Sequence, residues 1–326
     1  TKLETTFAER IPDGWYKALG TLDPGYDLNV NGTTRGYLLI GSNAKEIGSS
    51  AFESLGIKGS VTIPSNVSSI DNRAFHNCVY VTNYVFNEGL LEIGNYAFVS
   101  NMSLTKLKLP SSLDRIGSFA FESCSFLRDV VIGDNEGTIP KTIIEGNAFE
   151  DAFEYLNGQK SLEVAKSVSN INTNAFLRSN ATSSIIRANT VSNSAFNDCY
   201  PSFYFFTDEV KNFGTRVMIN FKPTVNNHLN IQIGKNGGDT QNIKSEAFYK
   251  LTSTDNIANR YVNVNIFDSV DTIGSKAFQG KDGGSGSANR RFLRNVTINA
   301  RAIGYRAFFF QKNPDLLGAD LTFGDN

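Results

Sequence analysis

The feature that most constrains this chain is an internal repeat. The pattern Ile or Val, three residues, then Ala-Phe recurs ten times. The copies occupy residues 47–52, 70–75, 93–98, 116–121, 144–149, 171–176, 191–196, 243–248, 273–278 and 303–308. The widest gap, 52 residues between Phe196 and Phe248, predicts a degenerate copy near Phe213 to Met218. We therefore expect about eleven units, each too small to fold alone.

Each unit predicts one short strand and one turn. Apolar residues alternate upstream of the Ile, as in Val61-Thr62-Ile63, which indicates a three- to four-residue strand. Two positions after the Ile, a hydroxyl or amide residue occurs in eight of the ten copies, and this predicts a cap for one short helical turn. Because one unit cannot bury its own apolar face, the units must stack into an α/β solenoid with a parallel sheet. The Ala-Phe pairs would then form a column in its interior.

One segment carries the pattern in its fullest form. Residues 104–124 contain Leu104, Leu107, Leu109-Pro110, Leu113, Ile116-Gly117, Ala120-Phe121 and Cys124. This spacing resembles the BspA-like branch of the leucine-rich repeat family, the 23-residue type, and the resemblance covers about residues 36–326. It implies a right-handed solenoid of short parallel strands and short helical turns. It also implies a non-enzymatic extracellular or cell-surface protein that binds proteins or glycans, in adhesion to host or neighbouring cells.

Residues 1–35 lie outside the repeat. They contain the only Trp of the chain, Trp15, together with Phe7, Tyr16 and Tyr26. A cap over the first coil needs such apolar bulk on one side. The alternative is a linker or the tail of an upstream domain. The chain starts at Thr1 without a signal-peptide pattern, so either a leader has been removed or this is part of a longer product.

Charge and hydropathy argue against two classes of partner. The 31 basic and 32 acidic residues nearly balance, which is not typical of a protein that binds nucleic acid or anionic lipid. The longest apolar runs, such as Tyr37-Leu38-Leu39-Ile40, are far shorter than the roughly 20 residues of a membrane-spanning helix.

Residues that could carry chemistry are sparse, so we predict no catalytic, cofactor or metal site. The three cysteines each follow a repeat Phe by three residues, which places them in one inward column as free thiols. His76 and His228 fall some six coils apart, and no Gly-x-Ser-x-Gly motif occurs. The turn Asp134-Asn135-Glu136 could hold calcium, but a solvated turn is the better interpretation.

The remaining candidate is the open face of the sheet. Residues that alternate with the buried strand positions should point outward and contact a partner. They are Lys106, Lys108, Glu163, Asn230, Gln232, Asn263, Asn265, Thr297 and Asn299. A rival patch is the aromatic stretch 200–206, unless an irregular unit buries it. Two long loops, 234–242 and 280–289, are either insertions or binding loops. The alternative function is a structural spacer that projects another domain from a surface, and the oligomeric state stays open.

Overall fold

The structure is a computed structural model of the 326-residue chain. It describes residues 2–4, 10–11, 37–136, 139–154, 158–199, 204–219, 229–237, 241–249, 262–279, 293–308 and 320–323. Every strand pairing in these ranges is parallel. The same ranges contain no helix, and in particular none that could cross a membrane.

One long sheet is built from the Ile positions of the repeat. Its strands are, in spatial order, β2 (Arg10–Ile11), β4 (Glu46–Ile47), β6 (Ser69–Ile70), β8 (Glu92–Ile93), β10 (Arg115–Ile116), β12 (Thr142–Ile144), β14 (Val168–Ile171), β16 (Thr190–Val191), β18 (Asn212–Phe213), β20 (Gln241–Ile243), β22 (Val270–Ile273) and β24 (Ala302–Ile303). Each strand pairs with the next one in this order, so the sheet steps forward by one coil at a time.

A second series of strands precedes these in each coil. The nine-stranded sheet contains β9 (Lys106–Leu109), β11 (Asp129–Ile132), β13 (Ser161–Val164), β15 (Ser183–Ile186), β17 (Tyr204–Thr207), β19 (Leu229–Ile233), β21 (Val262–Ile266), β23 (Leu293–Ile298) and β25 (Asp320–Phe323). Two further pairs are β1 (Lys2–Glu4) with β3 (Tyr37–Leu39), and β5 (Gly59–Thr62) with β7 (Val81–Val85). The prediction of stacked coils with parallel strands is confirmed.

The prediction of one short helical turn in each unit is wrong. The residue before each repeat Ala has a left-handed φ, as at Tyr96 (59°) and Phe119 (58°). In the copies from Phe52 to Phe196, so does the residue two positions after the Phe, as at Ser100 (59°) and Ser123 (56°). A helix needs φ near −60° at every residue, so this alternation cannot propagate as one. The segment is instead a chain of tight turns.

Hydrogen bonds between coils hold these turns. The backbone N–H of Phe98 donates to the carbonyl of Ala120 in the next coil at 2.8 Å, and Phe121 donates to Ala148 at 2.7 Å. The left-handed residues donate in the same direction, as Tyr96 does to Ser118 at 3.0 Å. Alternate N–H groups therefore point forward along the solenoid, and they form a third ladder beside the two sheets.

The asparagines among the predicted cap residues, Asn72, Asn95 and Asn193, accept hydrogen bonds from a neighbouring coil. Asn72 Oδ1 accepts from the backbone N–H of Asn95 at 2.7 Å, and Asn95 Oδ1 accepts from that of Ser118 at 2.9 Å. These amides therefore join successive coils. Gly117 lies in the same tight region, where a side-chain Cβ would come within 2.6 Å of the Gly94 backbone.

The phenylalanine column is the interior of the solenoid, as predicted. Rings from Phe52 to Phe196 stack on each other with centroids 4.9–5.3 Å apart, and Phe248, Phe278 and Phe308 continue the stack at 4.9 and 5.0 Å. Every member up to Phe278 is buried. Buried apolar surface of this kind is the main favourable term in folding.

The degenerate copy exists where the gap predicted it. Phe213 takes the Ile position in β18 and pairs with Val191, while Val217 and Met218 take the place of Ala-Phe. Phe196 N–H donates to the Val217 carbonyl at 2.9 Å, as the ladder requires. The strands β4 to β24 then mark eleven coils, and β2 adds a twelfth strand from the segment before residue 36.

Candidate binding surface

The nine-stranded sheet has one buried and one open side. Along its strands, inward residues such as Leu107 and Leu109 are buried, and the residues between them are not. Register places the outward residues in two rows across the coils. The first row is Lys106, Asp129, Ser161, Ser183, Tyr204, Asn230 and Asn263, and the second is Lys108, Val131, Glu163, Ile185, Phe206, Gln232, Asn265 and Thr297. We call these two rows the open face.

The predicted amide residues come together on adjacent strands. Asn230 and Asn263 are register partners, and Asn263 Nδ2 donates to Asn230 Oδ1 at 2.8 Å. Gln232 and Asn265 are partners in the second row. Thr297 pairs with Asn265, and Asn299 follows directly after β23, where it is half-buried.

The predicted lysines lie far from these amides. Lys106 and Lys108 are exposed on β9, the first strand of the sheet. Lys106 and Asn230 share a row but are five strands apart, which is about 24 Å at a strand spacing of about 4.8 Å. The predicted contact residues are therefore not one site but two, a charged end and an amide end.

Glu163 is already engaged within the chain. Its carboxylate accepts from Arg187 Nη1 at 2.8 Å and from Asn135 Nδ2 at 2.9 Å, and Arg187 also forms an ion pair with Asp208 at 3.2 Å. These contacts join neighbouring coils. A ligand that used Glu163 would have to compete with them.

A second acidic residue is held in the same way. Glu209 lies between Lys166 (2.8 Å) and Lys235 (2.6 Å). Burial alone would raise the pKa of the Glu209 carboxyl, but the hydrogen bonds from the two lysines outweigh burial and lower it. The carboxylates of Glu163 and Glu209 are thus both paired with basic side chains of the same chain.

The middle of the open face was identified only in part from the sequence. Tyr204 is 46% exposed and Phe206 is half-buried on the same side, while Phe205 between them is fully buried. The rings of Tyr204 and Phe206 are 5.2 Å apart. The structure thus divides the aromatic stretch that the sequence analysis left open, and strand alternation at 204–207 was the signal for it. The remainder of that stretch, 200–203, lies outside the described residues.

The thiols are not a reactive site. Cys78, Cys124 and Cys199 are free and buried, as predicted. Each Sγ donates to the carbonyl of the repeat Phe in the preceding coil, at 3.0–3.2 Å. Burial raises the pKa of the Cys78 and Cys124 thiols to about 12 and also raises that of Cys199. A thiol that stays protonated is a poor nucleophile.

Other candidates for chemistry give no cluster. In the part of the chain that the structure describes, no three His, Cys, Asp or Glu side chains lie close enough to hold a metal ion. His76 Nδ1 is 3.6 Å from the Glu53 carboxylate, and His228 lies outside the described residues. Asn135, in the turn 134–136 considered above as a calcium site, is bonded to Glu163. The loop 280–289 is also outside the described residues.

Comparison with known proteins identifies the repeat. Residues 45–151 and 148–285 match the family of the BspA type leucine rich repeat region, in six copies. No curated protein sequence matches the chain.

Three solved structures are similar to the chain at low sequence identity. A leucine-rich repeat protein from Bacteroides ovatus is 18% identical, with a TM-score of 0.49 over 94% of this chain and 84% of the other. A leucine rich cell surface protein from Faecalibacterium prausnitzii is 16% identical, with a TM-score of 0.38 over 78% and 89%. The pneumococcal vaccine antigen PcpA is 15% identical, with a TM-score of 0.38 over 93% and 78%.

Proposed function

The chain belongs to the BspA-type leucine-rich repeat family, and from this premise we propose that it is a non-enzymatic protein of the cell surface or extracellular space. Its role in this proposal is to bind another protein or a glycan during adhesion to host or neighbouring cells. The observation that carries the proposal is the open face, two outward rows of side chains none of which is buried by the rest of the described chain.

The geometry of the open face suits a large partner. The eight strands that carry it, β9 to β23, span roughly 34 Å at a spacing of about 4.8 Å. The inward residues of the same strands are packed in the core, so the outward side chains start from a rigid backbone. A rigid surface loses little conformational freedom on binding, and this favours affinity.

The ends of the open face have different roles in the proposal. Lys106 and Lys108 would contact an acidic group, and the amide and hydroxyl side chains from Asn230 to Thr297 would contact polar groups by hydrogen bonds. Residues 1–35 would cap the array. The pairing of β1 with β3 and of β2 with β4 supports a cap, because it extends both strand series at that end.

A binding panel tests the proposal. The purified chain is immobilised and exposed to purified extracellular matrix proteins and to a glycan panel. The double variant Lys106→Glu/Lys108→Glu should weaken capture of an acidic partner at least tenfold, because it reverses two charges on the open face. The matched control is Lys45→Glu, an exposed lysine beside β4 on the other sheet.

The spacer alternative has the opposite outcome. A spacer captures no member of the panel, and the lysine variants change nothing. Capture that is equal in the wild type, in the open-face variants and in Lys45→Glu would place binding elsewhere on the molecule and would contradict the role of the open face.

A further inference from the structure

Six neighbouring side chains on the open face are either aromatic rings or amides. They are Tyr204 and Phe206 on β17, Asn230 and Gln232 on β19, and Asn263 and Asn265 on β21. We call them the aromatic–amide patch. Two rings stand at one side of it, and four amides follow in two rows of register partners. None of the six is buried.

The patch carries no charged side chain. By contrast, the outward positions of β9, β11 and β13 include Lys106, Lys108, Asp129 and Glu163. A charged ligand seated on the patch would lose hydration without gaining a counter-charge, and this costs free energy. The occupant that fits is therefore electrically neutral.

The size of the patch argues against a protein partner as its sole occupant. Three strands cover about 10 Å across, and the two outward residues of each strand are about 7 Å apart. A stable protein interface needs about 800 Å² on each partner. The patch is much smaller than that, but it matches the dimensions of a few sugar rings.

The chemistry of the six side chains is complementary to a sugar. An aromatic ring has an electron-rich face, which attracts the slightly positive C–H groups on one face of a pyranose. A side-chain amide carries donor and acceptor atoms, as a sugar hydroxyl does, but the Oδ1 of Asn263 is buried and is not open to a ligand. The hydrogen bond from Asn263 Nδ2 to Asn230 Oδ1 orients both amides before a ligand arrives. The patch thus combines a stacking platform with a preordered row of polar groups.

We propose that the aromatic–amide patch binds a neutral oligosaccharide, with sugar rings stacked on Tyr204 and Phe206 and hydroxyls bonded to the amides of β19 and β21. This inference rests on the proposed function and narrows it to one ligand class and one part of the open face.

A glycan array tests the inference. The probes are uncharged hexose and N-acetylhexosamine oligosaccharides, with heparin and sialylated oligosaccharides as the acidic arm. The wild-type chain should bind at least one neutral probe, and its affinity should change less than twofold between about 0.05 M and about 0.5 M salt, because no ion pair is involved. Tyr204→Ala and Phe206→Leu should each weaken this binding at least tenfold.

Matched variants separate recognition from folding. Phe206→Leu keeps apolar bulk at its position, Tyr204→Phe keeps the ring and should retain binding within threefold, and Asn265→Ala removes one amide and should weaken binding several-fold. Tyr305→Ala removes a tyrosine that is 69% exposed outside the patch and should bind as the wild type does. Unchanged melting temperatures confirm that each variant is folded.

Three results would overturn the inference. They are binding of acidic probes only, neutral binding that survives both Tyr204→Ala and Phe206→Leu, and capture of a purified matrix protein without any neutral glycan. The last result would leave the proposed function intact. A chain that captures neither proteins nor glycans would refute both.

Discussion

Two coils of this solenoid share a backbone but fill their interiors differently. The coil at 106–124 follows the repeat closely, and the coil at 204–219 departs from it. Their interior residues are Leu107, Leu109, Ile116, Ala120 and Phe121 in the first, and Phe205, Thr207, Phe213, Val217 and Met218 in the second. All ten are at most 2% exposed. The degenerate coil is thus as well buried as the regular one.

The difference lies in where the aromatic volume sits. Phe121 stacks on Phe98 and Phe149 at 5.1 Å. In the degenerate coil, Met218 replaces that ring. Phe205 there contacts Phe196 edge-on at 5.3 Å, and Phe213 contacts Phe248 at 6.0 Å. Aromatic volume has moved from the turn to the two strands, which shows that the coil needs a filled interior and an intact ladder more than it needs Phe at one position.

The largest effect is expected from removing a buried ring in the regular coil. Phe121→Ala should lower the free energy of unfolding by about 3–5 kcal/mol, because it removes a fully buried ring that contacts two others. Thermal denaturation should show a melting temperature several degrees lower.

The control for this substitution is a ring on the outside of the same coil. Phe119→Ala removes a half-buried ring that stacks only on Tyr96 among the described ring contacts, and it should cost about 1 kcal/mol or less. A Phe121→Ala shift below one degree, or one equal to that of Phe119→Ala, would contradict an interior column.

The second prediction tests whether Phe205 compensates for the replacement of the repeat Phe by Met218 in the degenerate coil. Met218→Phe alone should destabilise by about 1–3 kcal/mol, because the added ring crowds Phe205 and Phe196. Phe205→Leu alone should cost about 1 kcal/mol or more. The double variant Phe205→Leu/Met218→Phe restores the regular pattern and should cost less than the sum of the two.

A double-mutant cycle measures this coupling by chemical denaturation. We expect a favourable coupling of about 0.5–3 kcal/mol, as for side chains in contact. A small cavity lined by Phe196, Cys199, Phe205 and Met218 is the place where the extra ring could fit. If Met218→Phe alone is stabilising, the ring fills that cavity without crowding, and the compensation by Phe205 is not needed.

The comparison also shows what the sequence could predict about the fold. The column and the degenerate copy at 213–218 followed from a fixed spacing, because spacing determines which residues recur at equivalent positions in a stacked array. The turn conformation did not follow. Asn95 has the local pattern of a helix cap, but the donor that it accepts from is Ser118 in the next coil. A partner that lies 23 residues away is invisible to a local rule.

The sequence predicted the candidate site about as completely as it predicted the fold. Alternation along each strand correctly indicated which residues point outward, for example Lys106 and Asn265. It did not indicate which of them are neighbours, since that depends on register between coils of unequal length. The sequence did not reveal that Tyr204 and Phe206 lie in the same two rows as the amides, because their coil lacks the repeat signature.

A smaller effect is expected from the asparagine side chains that join successive coils, and it can be compared between the two regions. Asn95 Oδ1 accepts from the Ser118 N–H and also from Arg115 Nη2 at 2.9 Å. Asn193 Oδ1, next to the degenerate coil, accepts from the Thr215 N–H at 2.8 Å. Asn95→Ala should therefore cost about 1–2 kcal/mol, and Asn193→Ala about 1 kcal/mol. Urea denaturation of the two variants gives the order. If both cost the same, the Arg115 contact contributes nothing measurable.

The smallest expected effect is the pH dependence of stability that arises from the buried thiols of the two regions. Burial raises the pKa of Cys124, in the regular coil, to about 12, and it also raises the pKa of Cys199, which lines the cavity beside the degenerate coil. Because the folded pKa exceeds the unfolded value of 9.0, each thiol favours the folded state fully below that value. This stability is lost as the pH rises toward the folded pKa.

At about pH 9 a cysteine thiol in the unfolded chain is ionised in half of the molecules. Each cysteine should therefore lower the free energy of unfolding by about 0.4 kcal/mol relative to neutral pH. Denaturation at neutral pH and at about pH 9 measures the loss, and Cys124→Ala and Cys199→Ala should each reduce it by that amount. The remaining fall in each variant comes from the other of these two cysteines and from Cys78 and Tyr84, whose pKa values burial also raises. If Cys124→Ala reduces the loss and Cys199→Ala does not, the Cys199 thiolate is tolerated in the folded state, which requires water in the cavity. The degenerate coil would then differ from the regular one in hydration as well as in packing.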